Sequence, residues 1–147
     1  MKDIRTLDIH LIHILRKISV PTARIALFIV FFWFGILKVL GLSPASTLVH
    51  ELFDQMISFV SFDTFYLLFA LFECLIGILF LIPGKERVVL PLLLFHMVST
   101  FLPMVYLPNI TWQAPWVPTM EGQYIIKNLV VIAAAIGIAA HLHPIRR

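Results

Sequence analysis

Charge is scarce in this chain, in which only 13% of the 147 residues are Asp, Glu, Lys or Arg, against about 25% in soluble domains. Hydrophobic residues make up 61% of it and the mean hydropathy is +0.99. A chain this short cannot bury so much apolar surface in water, because small domains bury the smaller share of it. The same figures exclude a disordered chain. The net charge of +3 is too small to indicate a nucleic-acid binder.

Cysteine is almost absent, since Cys74 is the one cysteine in the sequence. A single cysteine excludes an internal disulfide framework and a zinc site built from several cysteines. We interpret Cys74 as a small packing hydrophobe. His50, Glu51 and Asp54 come nearest to a metal-ligand set, and we expect no metal there. Nucleophile elbows, P-loops and dinucleotide-binding fingerprints are also missing.

Long apolar stretches are the main feature that is present. There are four, at about 25–42, 64–82, 88–107 and 124–140, and each approaches the roughly 20 residues that a helix needs to cross the hydrocarbon core. Pro83-Gly84 joins the second and third stretches in a tight helical hairpin. Ala133 and Gly137 form a small-x-x-x-small pair that predicts close packing of the last helix. The sequence predicts an all-α, integral membrane four-helix bundle, with residues 1–147 as a single domain.

Lys and Arg are distributed unevenly, which predicts the orientation of the spans. The connections between spans one and two and between spans three and four contain neither residue. Nine of the eleven basic residues fall on the opposite side: Lys2, Arg5, Arg16, Lys17, Arg24, Lys85, Arg87, Arg146 and Arg147. Both termini are therefore predicted to be cytoplasmic.

Two further helices are predicted outside the spans. Apolar residues recur at helical spacing before the first span, at Ile4, Leu7, Leu11, Ile14, Leu15 and Ile18. With charged residues mostly on the other face, this segment predicts an amphipathic helix lying in the cytoplasmic interface. Ser43-Pro44 is a favourable helix start, and it precedes an apolar stripe at Leu48, Leu52, Met56 and Phe59. We expect a short helix on the outer face there.

Ionisable side chains inside a membrane are costly, so each one indicates a functional site. Lys38, Glu73, His96 and Lys127 all lie in the outer half of the predicted spans or near their midplane, and Asn128 adjoins Lys127. Helical periodicity gives each span one stripe with a polar group. If these stripes face inward, the bundle encloses a polar cavity that opens to the outer side and binds a ligand through these five residues.

Glu73 is the candidate catalytic group, and three interpretations of it stay open. It forms a structural ion pair with Lys38 or Lys127, or it binds or protonates a small polar ligand. In the third interpretation it is protonated while both lysines extend to the outer interface. His96 is either a packing residue bonded to Ser99 or Thr100 or a second hydrogen-bond donor at the site. We do not expect haem, because transmembrane haem usually needs two axial ligands and His96 is the only deep histidine.

Several segments resemble those of a known family. The segment that ends Phe32-Trp33-Phe34-Gly35-Ile36-Leu37-Lys38 is similar to the first-helix signature of the DoxX-like superfamily. Phe72-Glu73-Cys74-Leu75-Ile76-Gly77 resembles its E-x-x-I-G segment. The stretch 100–118, with Glu121-Gly122-Gln123-Tyr124 and Ile126-Lys127, resembles its last loop and the start of its fourth helix. The closest resemblance is to the YkgB-type proteins linked to reactive-chlorine and oxidative-stress resistance.

The resemblance implies a four-helix bundle in the bacterial inner membrane. DoxX-like proteins are associated with thiosulfate-to-quinone electron transfer, with thiol redox complexes or with oxidant defence. The residues that match are Arg24, Gly35, Lys38, Glu73, Gly77 and Lys127. Asn128 departs from the acidic residue that tends to follow the lysine in YkgB-type proteins, and His96 has no counterpart.

The function expected from these observations is redox-related or linked to oxidative stress. Glu73 would exchange a proton with a quinone or similar small molecule held in the outer-half cavity. We expect no independent enzymatic activity, and as an enzyme the chain would be a quinone-linked oxidoreductase component. The alternative is a non-catalytic scaffold subunit of a larger membrane complex, whose partners are the lipid bilayer and other membrane subunits or further copies of the chain.

Overall fold

The fold is known from a computed structural model that describes residues 2–57, 59–142 and 144. Four helices are long and apolar enough to span a membrane, which confirms the predicted all-α membrane architecture. The elements are α1 (Lys2–Val39), α2 (Ser46–Met56), α3 (Phe62–Leu81), α4 (Glu86–Phe101), α5 (Pro103–Tyr106), α6 (Pro108–Thr111), β1 (Trp112–Ala114), β2 (Val117–Pro118) and α7 (Met120–Ala139).

The four long helices form a closed ring. In that ring α1 packs chiefly on α3, α3 on α4, α4 on α7, and α7 on α1. The apolar core consists of Leu27, Phe31, Ile76, Phe80, Val89, Leu93, Met97, Ala135 and Ile138. Large apolar side chains on the outward faces, such as Trp33, Leu94 and Val130, are exposed, as expected of helices that face lipid. We call the end of the bundle that contains the α3–α4 turn the turn end, and the opposite end the loop end.

The amphipathic N-terminal segment is helical, but it is continuous with the first span. Helix α1 runs unbroken for 38 residues through Pro21, a length of about 57 Å, whereas the hydrocarbon core is about 30 Å thick. The side chains of residues 4–18 are exposed. Between this segment and the apolar span there is no glycine and no second proline to end the helix. The predicted amphipathic helix and the first span therefore form one continuous helix.

The loop end holds the predicted outer-face helix and an unpredicted hairpin. Helix α2 begins at Ser46 rather than at Ser43-Pro44, and Ser43 Oγ instead accepts a hydrogen bond from the Ala45 N–H at 3.3 Å. Strands β1 and β2 pair through Trp112 with Pro118 and through Ala114 with Val117. Between them Pro115 precedes Trp116, whose φ is 65°. A proline followed by a residue with positive φ is the pattern of a type II turn, in which the second of the two central positions is usually glycine.

Candidate functional site

Three ionisable side chains from three helices meet near the middle of the bundle. Lys38 Nζ on α1 lies 2.5 Å from Glu73 Oε2 on α3, and His96 Nε2 on α4 lies 2.9 Å from Glu73 Oε1. Lys38 is 8% exposed, Glu73 5% and His96 2%. These three residues are called the carboxylate cluster below. Glu73 lies roughly 16 Å along α3 from its first residue, so the cluster is far from both membrane surfaces.

Lys38 reaches the cluster because of its direction and because of a close helix contact. Side chains on a helix lean toward its N-terminus, so a lysine in the last turn of α1 points back into the bundle. Gly35, one turn earlier, brings α1 against α3, where an added Cβ would lie 2.6 Å from Cys74 Sγ and 2.8 Å from the Ala70 carbonyl oxygen. Lys38 therefore forms the ion pair that was one of the open interpretations and does not extend to the outer interface.

Charge balance in the cluster follows from its composition. A carboxylate taken out of water requires a cation and hydrogen bonds to its remaining lone pairs. The ammonium of Lys38 supplies the cation at one oxygen of Glu73, and the imidazole of His96 supplies a hydrogen bond at the other. The cluster is neutral overall when His96 is neutral.

Aromatic rings surround the imidazole of His96. The Phe69 ring stacks on it at 5.1 Å with an interplanar angle of 11°, and the Phe31 ring meets it edge-on at 5.3 Å. Lys38 Nζ lies 5.7 Å from the centre of the Phe69 ring. Sequence reasoning did not select Phe69, because it is one of 13 phenylalanines in the chain. The signal for Phe69 is its position four residues before Glu73, which places both on one face of α3.

These rings occupy the place where the sequence predicted an open polar cavity. Two apolar grooves lie elsewhere on the described part of the molecule. One, of about 320 Å³, is bordered by residues of α4 and α7 such as Met97 and Ile132. Another, of about 200 Å³, lies between α1 and α7 beside Ala23 and Gly137. The carboxylate cluster is thus a closed polar centre within an aromatic core.

Two predicted site residues, Lys127 and Asn128, do not join the cluster. Lys127 is exposed, and its Nζ lies 4.7 Å from the centre of the Tyr124 ring. Asn128 Nδ2 donates to Thr100 Oγ1 at 3.5 Å. The face of α7 that turns inward contains Ile125, two residues before Lys127, and two residues rotate a helix by about 200°. Lys127 therefore lies on the outward side of α7.

The structure contradicts one of the two interpretations of His96, in which its imidazole bonds Ser99 or Thr100. Ser99 Oγ donates to the backbone oxygen of His96 at 2.7 Å, and Thr100 Oγ1 donates to that of Met97 at 2.9 Å. Neither hydroxyl bonds the imidazole, which contacts Glu73 instead. Cys74 packs against the α1 backbone, with Sγ 3.8 Å from the Phe32 oxygen.

Metal-ligating side chains do not cluster in the part of the chain that the structure describes. Within residues 2–57, 59–142 and 144, no group of three or more His, Cys, Asp and Glu side chains is placed to hold a metal ion. His50 Nδ1 approaches Asp54 Oδ2 at 3.7 Å on the exposed surface of α2. This exposed pair stabilises the fold little.

A second ion pair lies at the turn end, and the sequence did not reveal it. The guanidinium of Arg24 on α1 pairs with the carboxylate of Glu86 at the start of α4, and Arg24 Nε donates to the Phe80 oxygen at 2.7 Å. The side chains of Arg24 and Glu86 are 15% and 12% exposed. One arginine therefore ties α1 to the C-terminal part of α3 and to the N-terminus of α4.

Substitution of Glu86 by Gln should lower the free energy of unfolding by about 1–2 kcal/mol, between the values typical of exposed and of buried ion pairs. Chemical unfolding in mixed micelles would measure it. Lys85→Gln is the matched control, because Lys85 is the exposed neighbour in the same turn, and it should change stability by less than about 0.5 kcal/mol. Equal effects of the two substitutions would contradict a stabilising role for the Arg24–Glu86 pair.

Comparison with known proteins finds no matching family, no matching curated protein and no matching solved structure. The candidate site is therefore argued from the geometry of this chain.

Proposed function

We propose that the chain is a multi-pass protein of the bacterial inner membrane, of the DoxX-like type, that serves a redox or oxidant-defence process. Its carboxylate cluster binds a quinone or a similar small molecule, with Glu73 as the central polar group. The observation that carries this proposal is the contact of Glu73 with both Lys38 and His96 in the middle of the membrane-spanning region.

The energetics of buried charge favour a functional role for the cluster. Replacing a buried ion pair by well-packed hydrophobic residues is often neutral or stabilising by about 1–4 kcal/mol. A bundle with so much apolar surface therefore does not need three ionisable groups in its interior to be stable. Ionisable residues within membrane spans instead mark ligand, ion or proton sites.

The surroundings of the cluster suit a flat ligand with polar oxygens. Small-molecule sites combine mostly apolar and aromatic walls with a few polar groups that fix orientation. Phe31 and Phe69 supply flat aromatic surfaces, and Lys38 and His96 supply hydrogen-bonding atoms at nearly the same place. Since these rings pack against the imidazole, ligand access requires that a phenylalanine change its side-chain conformation.

Five of the six residues that carry the DoxX-like resemblance lie at the contact between α1 and α3, whereas the sixth, Lys127, is exposed on α7. Gly35 and Gly77 both sit at the contact between α1 and α3, and Lys38 and Glu73 form their ion pair across the same contact. Arg24 joins these two helices nearer the turn end. By the distribution of Lys and Arg, the turn end faces the cytoplasm.

The proposal is tested by mass spectrometry of an organic extract of the protein purified in mild detergent. We expect a near-stoichiometric quinone or other non-lipid compound. Glu73→Gln should weaken the affinity for this compound at least tenfold and so lower its occupancy, because hydrogen bonds to charged groups contribute about 1.5–3 kcal/mol and 1.4 kcal/mol is a factor of ten in affinity. Lys127→Gln should leave occupancy unchanged. Phospholipid alone in the extract, or equal occupancy in both variants, would contradict ligand binding at the cluster.

The close packing of the cluster favours a second candidate function, that of a non-catalytic scaffold subunit. In that case the cluster would serve only to fix how α1, α3 and α4 dock. The distinguishing result is a protein partner that co-purifies at a fixed ratio while the extract contains phospholipid only.

A further inference from the structure

One nitrogen of His96 is unused by the contacts described above. Nε2 bonds Glu73 at 2.9 Å, whereas Nδ1 is buried and has no hydrogen-bond partner among the residues that the structure describes. Most buried side-chain polar atoms have a partner, so each exception requires an explanation. His96 is only 2% exposed. Its Nδ1 is therefore a buried polar atom that lacks the hydrogen bond such atoms usually form.

The hydrogen bond to Glu73 determines which nitrogen carries the proton. Glu73 pairs with the Lys38 ammonium through Oε2, and an ionised carboxylate only accepts hydrogen bonds. Nε2 must therefore donate to Oε1, so Nδ1 of a neutral imidazole has a free lone pair. Protonation of Nδ1 as well would give the cluster an additional buried charge, and the donor so formed would be unsatisfied.

We propose that His96 Nδ1 accepts a hydrogen bond from a hydroxyl group of the ligand, so that the site prefers the reduced, hydroxyl-bearing form of a quinone-type molecule over its oxidised form. This inference rests on the proposed function and adds a preference for one redox form of the ligand. His96 Nδ1 contacts the hydroxyl of the ligand, and the Glu73–Lys38 ion pair in addition fixes the tautomer of the imidazole.

The preference follows from the difference between the two forms. A quinol hydroxyl is a donor and satisfies the lone pair of Nδ1, whereas a quinone oxygen is only an acceptor and leaves it unsatisfied. An unsatisfied buried polar atom carries a penalty that corresponds to about a tenfold or larger change in affinity. We therefore expect the quinol to bind at least about tenfold more tightly than the quinone.

The test compares binding of decylubiquinol and decylubiquinone to the full-length protein in micelles. His96→Gln places an amide nitrogen near the position of Nε2 and no atom near that of Nδ1, so it should lose the preference for the quinol. His96→Asn is the matched variant, because its amide oxygen can take the position of Nδ1. It should retain the preference even where it weakens overall affinity.

Nitrogen-15 NMR of wild-type protein labelled at histidine, with His96→Gln used to assign the signal, reports the tautomer without any ligand. We expect Nε2 to be protonated and Nδ1 unprotonated, and a protonated Nδ1 would overturn the inference. Equal binding of the quinol and the quinone would overturn the inference while the proposed function stands. Failure of both forms to bind would refute a quinone-type ligand at the cluster and, with it, the preference.

Discussion

Replacing Lys38 by Met should lower the free energy of unfolding by about 3–5 kcal/mol, because it leaves the Glu73 carboxylate buried without its cation. Methionine preserves most of the apolar stem of lysine, so the effect isolates the ammonium group. Unfolding in mixed micelles, followed by circular dichroism, would measure the change. This is the largest effect that we expect from a single substitution in the chain.

Two matched variants decide whether that loss comes from the unpaired carboxylate. Lys127→Met removes a lysine that the structure places on the exposed side of α7, and it should change stability by less than about 0.5 kcal/mol. The double variant Lys38→Met with Glu73→Gln removes both charges and should recover much of the lost stability. A double variant no more stable than Lys38→Met would contradict the ion pair as the cause.

The comparison of Lys38 with Lys127 also shows what the sequence can and cannot predict. Hydropathy locates the spans because a helix must match the bilayer in length and satisfy its own backbone. Position within a span then gives the depth of each polar residue. Both lysines are predicted to lie in the outer half of their spans or near the midplane, but depth does not say which way a side chain points around its helix. That rotation depends on how α1 and α7 pack in the ring.

Glycine supplies the missing information about rotation for α1 and fails to do so for α7. Gly35 and Gly77 mark a true close approach, so the polar residue one turn from Gly35 faces α3. The predicted close packing at Ala133 and Gly137 is wrong, because both residues are exposed and a Cβ added at Gly137 would meet no atom within 4 Å. A small residue in a span permits close packing and does not require it.

The aromatic surroundings of His96 and the pair of Arg24 with Glu86 illustrate a different limit. Both depend on contacts between helices that are distant in sequence, 62 residues apart for Arg24 and Glu86. Local periodicity carries no information on which turn of one helix lies opposite which turn of another. The order of helices in the ring and their axial register must be known first.

Replacing Gly35 by Ala should lower the free energy of unfolding by about 2–3 kcal/mol, the upper part of the range for overpacked cores. The new methyl group would lie 2.8 Å from the Ala70 oxygen and 2.9 Å from the Cys74 nitrogen. These are backbone atoms of α3, so the two helices must separate. Gly137→Ala is the matched control, and it should be neutral or stabilising by up to about 1 kcal/mol, the helix-propensity difference between the two residues.

Separation of α1 from α3 also draws Lys38 away from Glu73, so Gly35→Ala should weaken the cluster as well as the fold. If the quinone-type ligand binds at the cluster, its occupancy in Gly35→Ala should fall along with stability, while Gly137→Ala keeps wild-type occupancy. A Gly35→Ala protein with unchanged stability would show that the α1–α3 contact is looser than the structure indicates. A destabilised protein with full occupancy would place the ligand away from the α1–α3 contact, and therefore away from Glu73.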